Sequence, residues 1–129
     1  MYLGIRTDSP RAELYLYKAD SLLSEKTWQA DRQLAHGLLA QLESFLAARD
    51  IAFADLEGLF IYSGPGSFTG LRIGITTMNT MAYALDIPIV GVEGEDWRTR
   101  AVARLCSGET DRLVLPHYGA EARITKPKK

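Results

Sequence analysis

Between residues 59 and 75 a buried-strand pattern, a glycine-proline loop and a helix start follow one another without a gap. Residues 59–62, LFIY, are apolar without alternation, the mark of a strand covered on both faces. Gly64, Pro65 and Gly66 follow, and a helix is predicted to open near Ser67 or Thr69. Backbone N–H groups converge at such a junction, which either holds an anion or lets a second backbone approach closely. Neither standard phosphate motif fits. Gly70 is followed by Leu71 and Arg72 where a Walker loop needs lysine and a hydroxyl, and the glycines at 64, 66 and 70 lack the dinucleotide spacing. The plain alternative is a turn in which glycine takes angles that other residues avoid.

The surrounding pattern predicts a mixed sheet. Residues 2–6 and 12–18 read as strands joined by a turn at Asp8, Ser9 and Pro10, and the second alternates Ala12, Leu14 and Leu16 with Glu13, Tyr15 and Tyr17. A third strand is predicted over 22–28. Residues 31–49 carry Leu34, Leu38, Leu39, Leu42, Phe45 and Leu46 at three- and four-residue steps, one helical stripe. A helix over 70–85, a strand over 87–92 and a helix over 95–105 ended by Gly108 follow, then an extended piece at 112–115. Hairpins first and strand–helix–strand units afterwards imply an α/β fold with a five-stranded mixed sheet flanked by helices.

At 129 residues, 47% hydrophobic and 24% charged, the chain reads as one soluble domain, residues 1–110, with a short tail at 111–129. A net charge of −1 supplies no basic field for nucleic acid, and Arg123, Lys126, Lys128 and Lys129 read as a solvated end. Cys106, the single cysteine, excludes an intramolecular disulfide or a cysteine zinc cluster and is expected as a small packed side chain near a helix end. With no signal-peptide pattern and no membrane-length apolar run, a cytoplasmic protein is expected.

Catalytic groups are sparse. His36 lies beside the apolar stripe of a helix, His117 lies in the tail, and no metal-ligand spacing joins them. Ser63 or Ser67 with His36 and Asp8 lack any spacing that supports a triad. Glu93, Glu95 and Asp96 suit the start of a helix. Asp8 reads first as a turn former ahead of Pro10. The helix over 70–85 has small or apolar residues on several faces, with Gly70, Gly74, Thr77, Met78 and Met81 near one stripe, more than a sheet alone covers. That excess suggests a subunit interface.

The string GPGSFTGLRIG, residues 64–74, resembles the signature of the TsaB (YeaZ) family, of the actin-like, ribonuclease-H-like superfold. Trp28, Gln29, Ala30, Arg32, Leu34, Leu38 and Leu39 resemble its entry to the first helix, and residues 87–92 its following strand. Pro116, Tyr118 and residues 124–129 resemble its C-terminus. The resemblance implies a single N-terminal lobe without the usual second lobe. It also implies a non-catalytic subunit, with no cofactor or metal of its own, that binds a TsaD-type partner and supports threonylcarbamoyl transfer to adenosine in tRNA. A TsaE-type ATPase and a second copy are further partners of that kind, and tRNA is met only through the complex. Pairing is implied for His36, Leu39 and Glu43 on one helix and for Gly70, Leu71, Arg72, Gly74, Ile75, Met78, Asn79 and Ala82 on the next, beside the loop Gly64, Pro65, Gly66, Ser67, Phe68 and Thr69. On that reading a bulky residue at position 74 weakens pairing and leaves the fold intact. In actin-like ATPases an aspartate after the first strand organises metal and phosphate; Thr7, Asp8 and Ser9 invert the order of the related pattern. The alternatives are a minimal nucleotide-binding, phosphotransferase-like enzyme using the loop and Asp8, and a self-pairing regulatory module.

Overall fold

The computed structural model describes residues 1–30, 33–66 and 68–117. Asp31, Arg32, Ser67 and the tail from Tyr118, with its basic residues, lie outside the described residues. In chain order the elements are β1 (Tyr2–Arg6), β2 (Arg11–Lys18), β3 (Ser21–Gln29), α1 (Leu34–Ala47), β4 (Gly58–Tyr62), α2 (Phe68–Leu85), β5 (Ile89–Val92) and α3 (Trp97–Cys106). A short 3-10 turn, Phe53–Asp55, links α1 to β4. The sheet order is β3-β2-β1-β4-β5. The first three strands pair antiparallel, whereas β1 with β4 and β4 with β5 pair parallel, so the sheet is mixed and five-stranded as the pattern implied.

The register sorts side chains onto two faces. Leu3 and Ile5 stand beside Leu16 and Leu14 on one neighbour and beside Leu59 and Ile61 on the other, a row buried under α1 and α2. From α1 this layer receives Leu34, Leu38, Leu42, Phe45 and Leu46, and from α2 it receives Leu71, Ile75 and Met78. On the opposite face Tyr15, Phe60 and Tyr62 surround Trp97 of α3, with ring centroids 5.8, 5.7 and 5.8 Å from it. Phe60 is 0% exposed, and its ring lies over Gly4 where any Cβ would overlap it.

Several boundaries differ from the sequence pattern for local reasons. Strand β5 starts at Ile89 and not Ile87, because Asp86 adopts a positive φ of 56° and the Ile87 N–H closes onto the Ala82 carbonyl, ending α2 in a turn. Helix α3 begins at Trp97, with Asp96 in the capping position but without a side-chain cap bond. Gly108 ends it as expected, with φ of 85° and its N–H on the Leu105 carbonyl. Cys106 is exposed and not packed, since it is the last residue of α3 and opens on a groove shared with Tyr17 and Leu22. Residues 112–115 make no strand ladder.

Candidate functional site

Parallel strands β1, β4 and β5 end on the same side of the sheet, the side where open α/β sheets place ligands. Arg6 closes β1 there. Its Nε donates to Asp8 Oδ1 at 2.7 Å and its Nη2 to Oδ2 at 3.2 Å, a two-pronged pair. The guanidinium carbon also stands 3.9 Å from the centroid of the Tyr62 ring, stacked on its face. The bond to Asp8 holds the Arg6 pKa above its usual value despite the opposing effect of burial. Burial raises the Tyr62 phenol, with Arg6 pulling the other way, and its hydroxyl donates to the Pro65 carbonyl at 3.0 Å. Both oxygens of Asp8 are therefore engaged, and the carboxylate is part of a clamp on the glycine loop.

Thr7, 0% exposed, is the residue around which α2 is seated. Its hydroxyl donates to the Gly70 carbonyl at 2.7 Å. One turn later a Cβ on Gly74 would overlap Thr7 Oγ1 and press on Thr7 Cβ and Cγ2. The two glycines four apart thus admit the end of β1, the close-approach reading of the junction. Gly64 has φ of 127°, which favours glycine, and a Cβ there would strike the His117 carbonyl. Its peptide to Pro65 is cis. The His117 N–H donates to the Ser63 carbonyl at 2.8 Å, and its Nδ1 lies 3.0 Å from Glu93 Oε2.

The residues implied for pairing separate into two groups. His36, Leu39 and Glu43 are exposed on α1, with Leu39 at 59%, and Arg72 is exposed on α2. The pairing expected of Leu71, Gly74, Ile75, Met78 and Ala82 is corrected: all five are buried, because the stripe of α2 carrying them faces the sheet. The expectation that a bulky residue at 74 spares the fold is corrected with them. Gly70 is half-buried with its carbonyl taken by Thr7. Asn79 grips residue 114: its Nδ2 donates to the Val114 carbonyl at 3.0 Å, and its Oδ1 accepts the Val114 N–H at 2.9 Å. Of the loop, Gly64 is buried, Gly66 half-buried, and Pro65 and Thr69 exposed; Ser67 and the Phe68 side chain lie outside what is described.

Between the exposed parts of α1 and α2 runs an open groove of about 440 Å³ lined by Ala35, Thr69, Arg72, Ile73, Thr76 and Thr77. Sequence reasoning missed Thr76 as a surface residue of this groove, and missed Arg6 and Thr7 as the supports of the loop. A signal for Thr7 existed: a lone hydroxyl directly after an apolar strand, in a chain whose helix has two glycines one turn apart. Among the described residues no group of three or more His, Cys, Asp or Glu could hold a metal ion, and no helix is long and apolar enough to cross a membrane.

Residues 25–104 match the family model of the tRNA N6-adenosine threonylcarbamoyltransferase, TsaD. The tRNA threonylcarbamoyladenosine biosynthesis protein TsaB of Bacillus subtilis is 33% identical over 90 residues, which cover 70% of this chain and 39% of that protein. The tRNA N6-adenosine threonylcarbamoyltransferase of Geotalea uraniireducens is 36% identical over 63 residues, 49% of this chain and 18% of that one. The chain therefore spans less than half the length of these curated relatives. Among solved structures, YeaZ from Pseudomonas aeruginosa superposes with a TM-score of 0.66 and 26% identity over 71% of this chain and 43% of its own. Thermus thermophilus RuvC shares the fold alone, with a TM-score of 0.50, 12% identity and coverage of 94% and 87%. The family model spans well over half of the residues: the chain belongs to the TsaD-like threonylcarbamoyltransferase family, with TsaB and YeaZ proteins among its relatives.

Proposed function

We propose that this chain is a non-catalytic, TsaB-like subunit that binds a TsaD-type partner in the cytoplasm and so supports threonylcarbamoyl transfer to adenosine in tRNA. The observation that carries the reading is the exposed α1–α2 surface. Leu39 projects beside His36 and Glu43, and the small-residue groove with Arg72 lies on the neighbouring helix. An exposed leucine next to a shallow groove with a polar rim has the make-up of a helix-pairing surface. Glycine-loop chemistry is subordinate on this reading. Asp8 is held by Arg6 and the Thr7 hydroxyl by Gly70, so both groups serve the loop's shape. Nucleotide and metal belong to the partner, and tRNA is met through the assembled complex.

The test is the mass of the purified chain, alone and mixed with the TsaD-type protein of its own organism, by size-exclusion light scattering. A one-to-one complex is expected. Leu39→Asp, at a surface position that costs the fold little, should weaken pairing at least tenfold, about 1.4 kcal/mol. A Leu39→Asp variant that pairs as tightly as the parent removes the α1–α2 surface from the proposal. No complex with the parent chain removes the proposal itself. A second copy using the same face would show as a dimer that the partner displaces.

A further inference from the structure

Hydrogen bonding in parallel β4 and β5 turns the polar groups of Pro88, Val90 and Val92 toward β4, as the Leu59 N–H on Pro88 and the Ser63 N–H on Val92 show. Ile89 and Gly91 therefore aim their N–H and C=O groups outward, along the free edge of the sheet. An edge of this kind is a template for a strand from another molecule. Here all four outward groups are occupied. The Ile89 N–H donates to Thr110 Oγ1 at 3.1 Å, and the Ile89 carbonyl accepts the Asp111 N–H at 2.7 Å. The Gly91 N–H donates to Asp111 Oδ2 at 2.8 Å, and the Gly91 carbonyl accepts Arg104 Nη1 at 3.2 Å.

The cap is itself fastened. Arg104 bonds both oxygens of Asp111 and, through Nε, Glu109 Oε1 at 2.8 Å. Burial works against the Asp111 carboxylate, yet Arg104 and the Gly91 N–H outweigh it and hold its pKa below the ordinary carboxylate value. Farther along, Val114 is buried against Gly91, where a Cβ would overlap it, and Asn79 grips its backbone at both ends. His117 closes the run on Ser63 and Glu93. All of residues 110–117 lie beyond the stretch that the family model matches.

We propose that residues 110–117 are an edge strap, standing where a sixth strand would pair, that keeps β5 of this chain from pairing with β5 of a second copy. The occupant it excludes is a copy of the same chain because two such edges, running antiparallel about a two-fold axis, offer each other the same four groups. This face is separate from the α1–α2 surface, so it stands whether or not that surface binds a partner.

Amide hydrogen exchange and light scattering test it, with Leu39→Asp in the background to silence association through α1. In the parent the Ile89 and Gly91 amides should exchange at least about tenfold more slowly than open edge amides. Asp111→Ala with Asn79→Ala should free both, leave the Phe60 amide protected as evidence of an intact sheet, and produce a concentration-dependent dimer. Thr110→Val, the milder variant, should free Ile89 alone and serves if the double variant does not fold. Fast exchange at Ile89 and Gly91 in the parent overturns the strap. Freed amides without a new dimer overturn its role against self-pairing.

Discussion

Gly74→Val will unfold at a temperature about 10 °C below the parent, a loss of roughly 3 kcal/mol. The cause is steric and local. Gly74 lies inside α2 on the face that receives Thr7, and a Cβ there meets the Thr7 hydroxyl and both its carbons. Thr7 cannot swing away without giving up its bond to the Gly70 carbonyl, and it is enclosed on every side. Replacing glycine inside a helix should otherwise help by several tenths of a kcal/mol. Gly37, in α1, shows that gain without the collision, because an added Cβ meets nothing within 4 Å. Gly37→Ala should accordingly stabilise the protein by about 1 kcal/mol. Thr7→Ala, by removing the struck oxygen, should return at least about 1 kcal/mol to the Gly74→Val variant. Thermal unfolding followed by circular dichroism reads all three. A Gly74→Val midpoint within a degree or two of the parent would show that α2 shifts freely on β1, and the seat on Thr7 would then be no constraint.

That collision also marks where sequence reading stops. The strand over 59–62, the glycine turn and the helix after it were legible because burial, turn chemistry and helix start follow each other directly in the chain. The period-two alternation of β2 was legible for a similar reason: neighbours in the pattern are neighbours in space. Orientation of α2 was not. Leu71, Ile75 and Met78 on one side and Ile73 on another are all apolar, so periodicity leaves two faces equally fit for the sheet. The choice is made by Thr7, far earlier in the sequence, which fits only against the glycine face. The strap at 110–117 was illegible for a different reason. Thr110, Asp111 and Arg104 act through backbone groups of Ile89 and Gly91, and the order of side chains along a sequence carries no record of which carbonyl they will meet.

The second large effect belongs to the other face of the sheet, where Phe60→Ala should cost about 4 kcal/mol. Phe60 is fully buried, and its ring is fixed from three directions: edge-on to Tyr17 at 5.7 Å, tilted against Trp97 at 5.7 Å, and pressed against Gly4. Gly4 stands beside Tyr15 on one neighbouring strand and Phe60 on the other, so its missing side chain is the space the ring occupies. Gly4→Ala should therefore cost about 2 kcal/mol by displacing the ring against Trp97. With Phe60 already truncated, the same methyl enters a cavity and loses its clash. The double variant should then be more stable than the sum of the single losses allows by about 2 kcal/mol. Urea unfolding of the four proteins measures that coupling, and additivity within about 0.5 kcal/mol would mean the ring is not what keeps residue 4 a glycine. The consequence reaches the glycine loop. Trp97 packs edge-on against Tyr62 as well, and Tyr62 carries the Arg6 guanidinium on its face and bonds Pro65 through its hydroxyl. A ring lost at 60 should thus loosen the clamp that shapes the loop, while the α1–α2 surface on the far side of the sheet keeps its form.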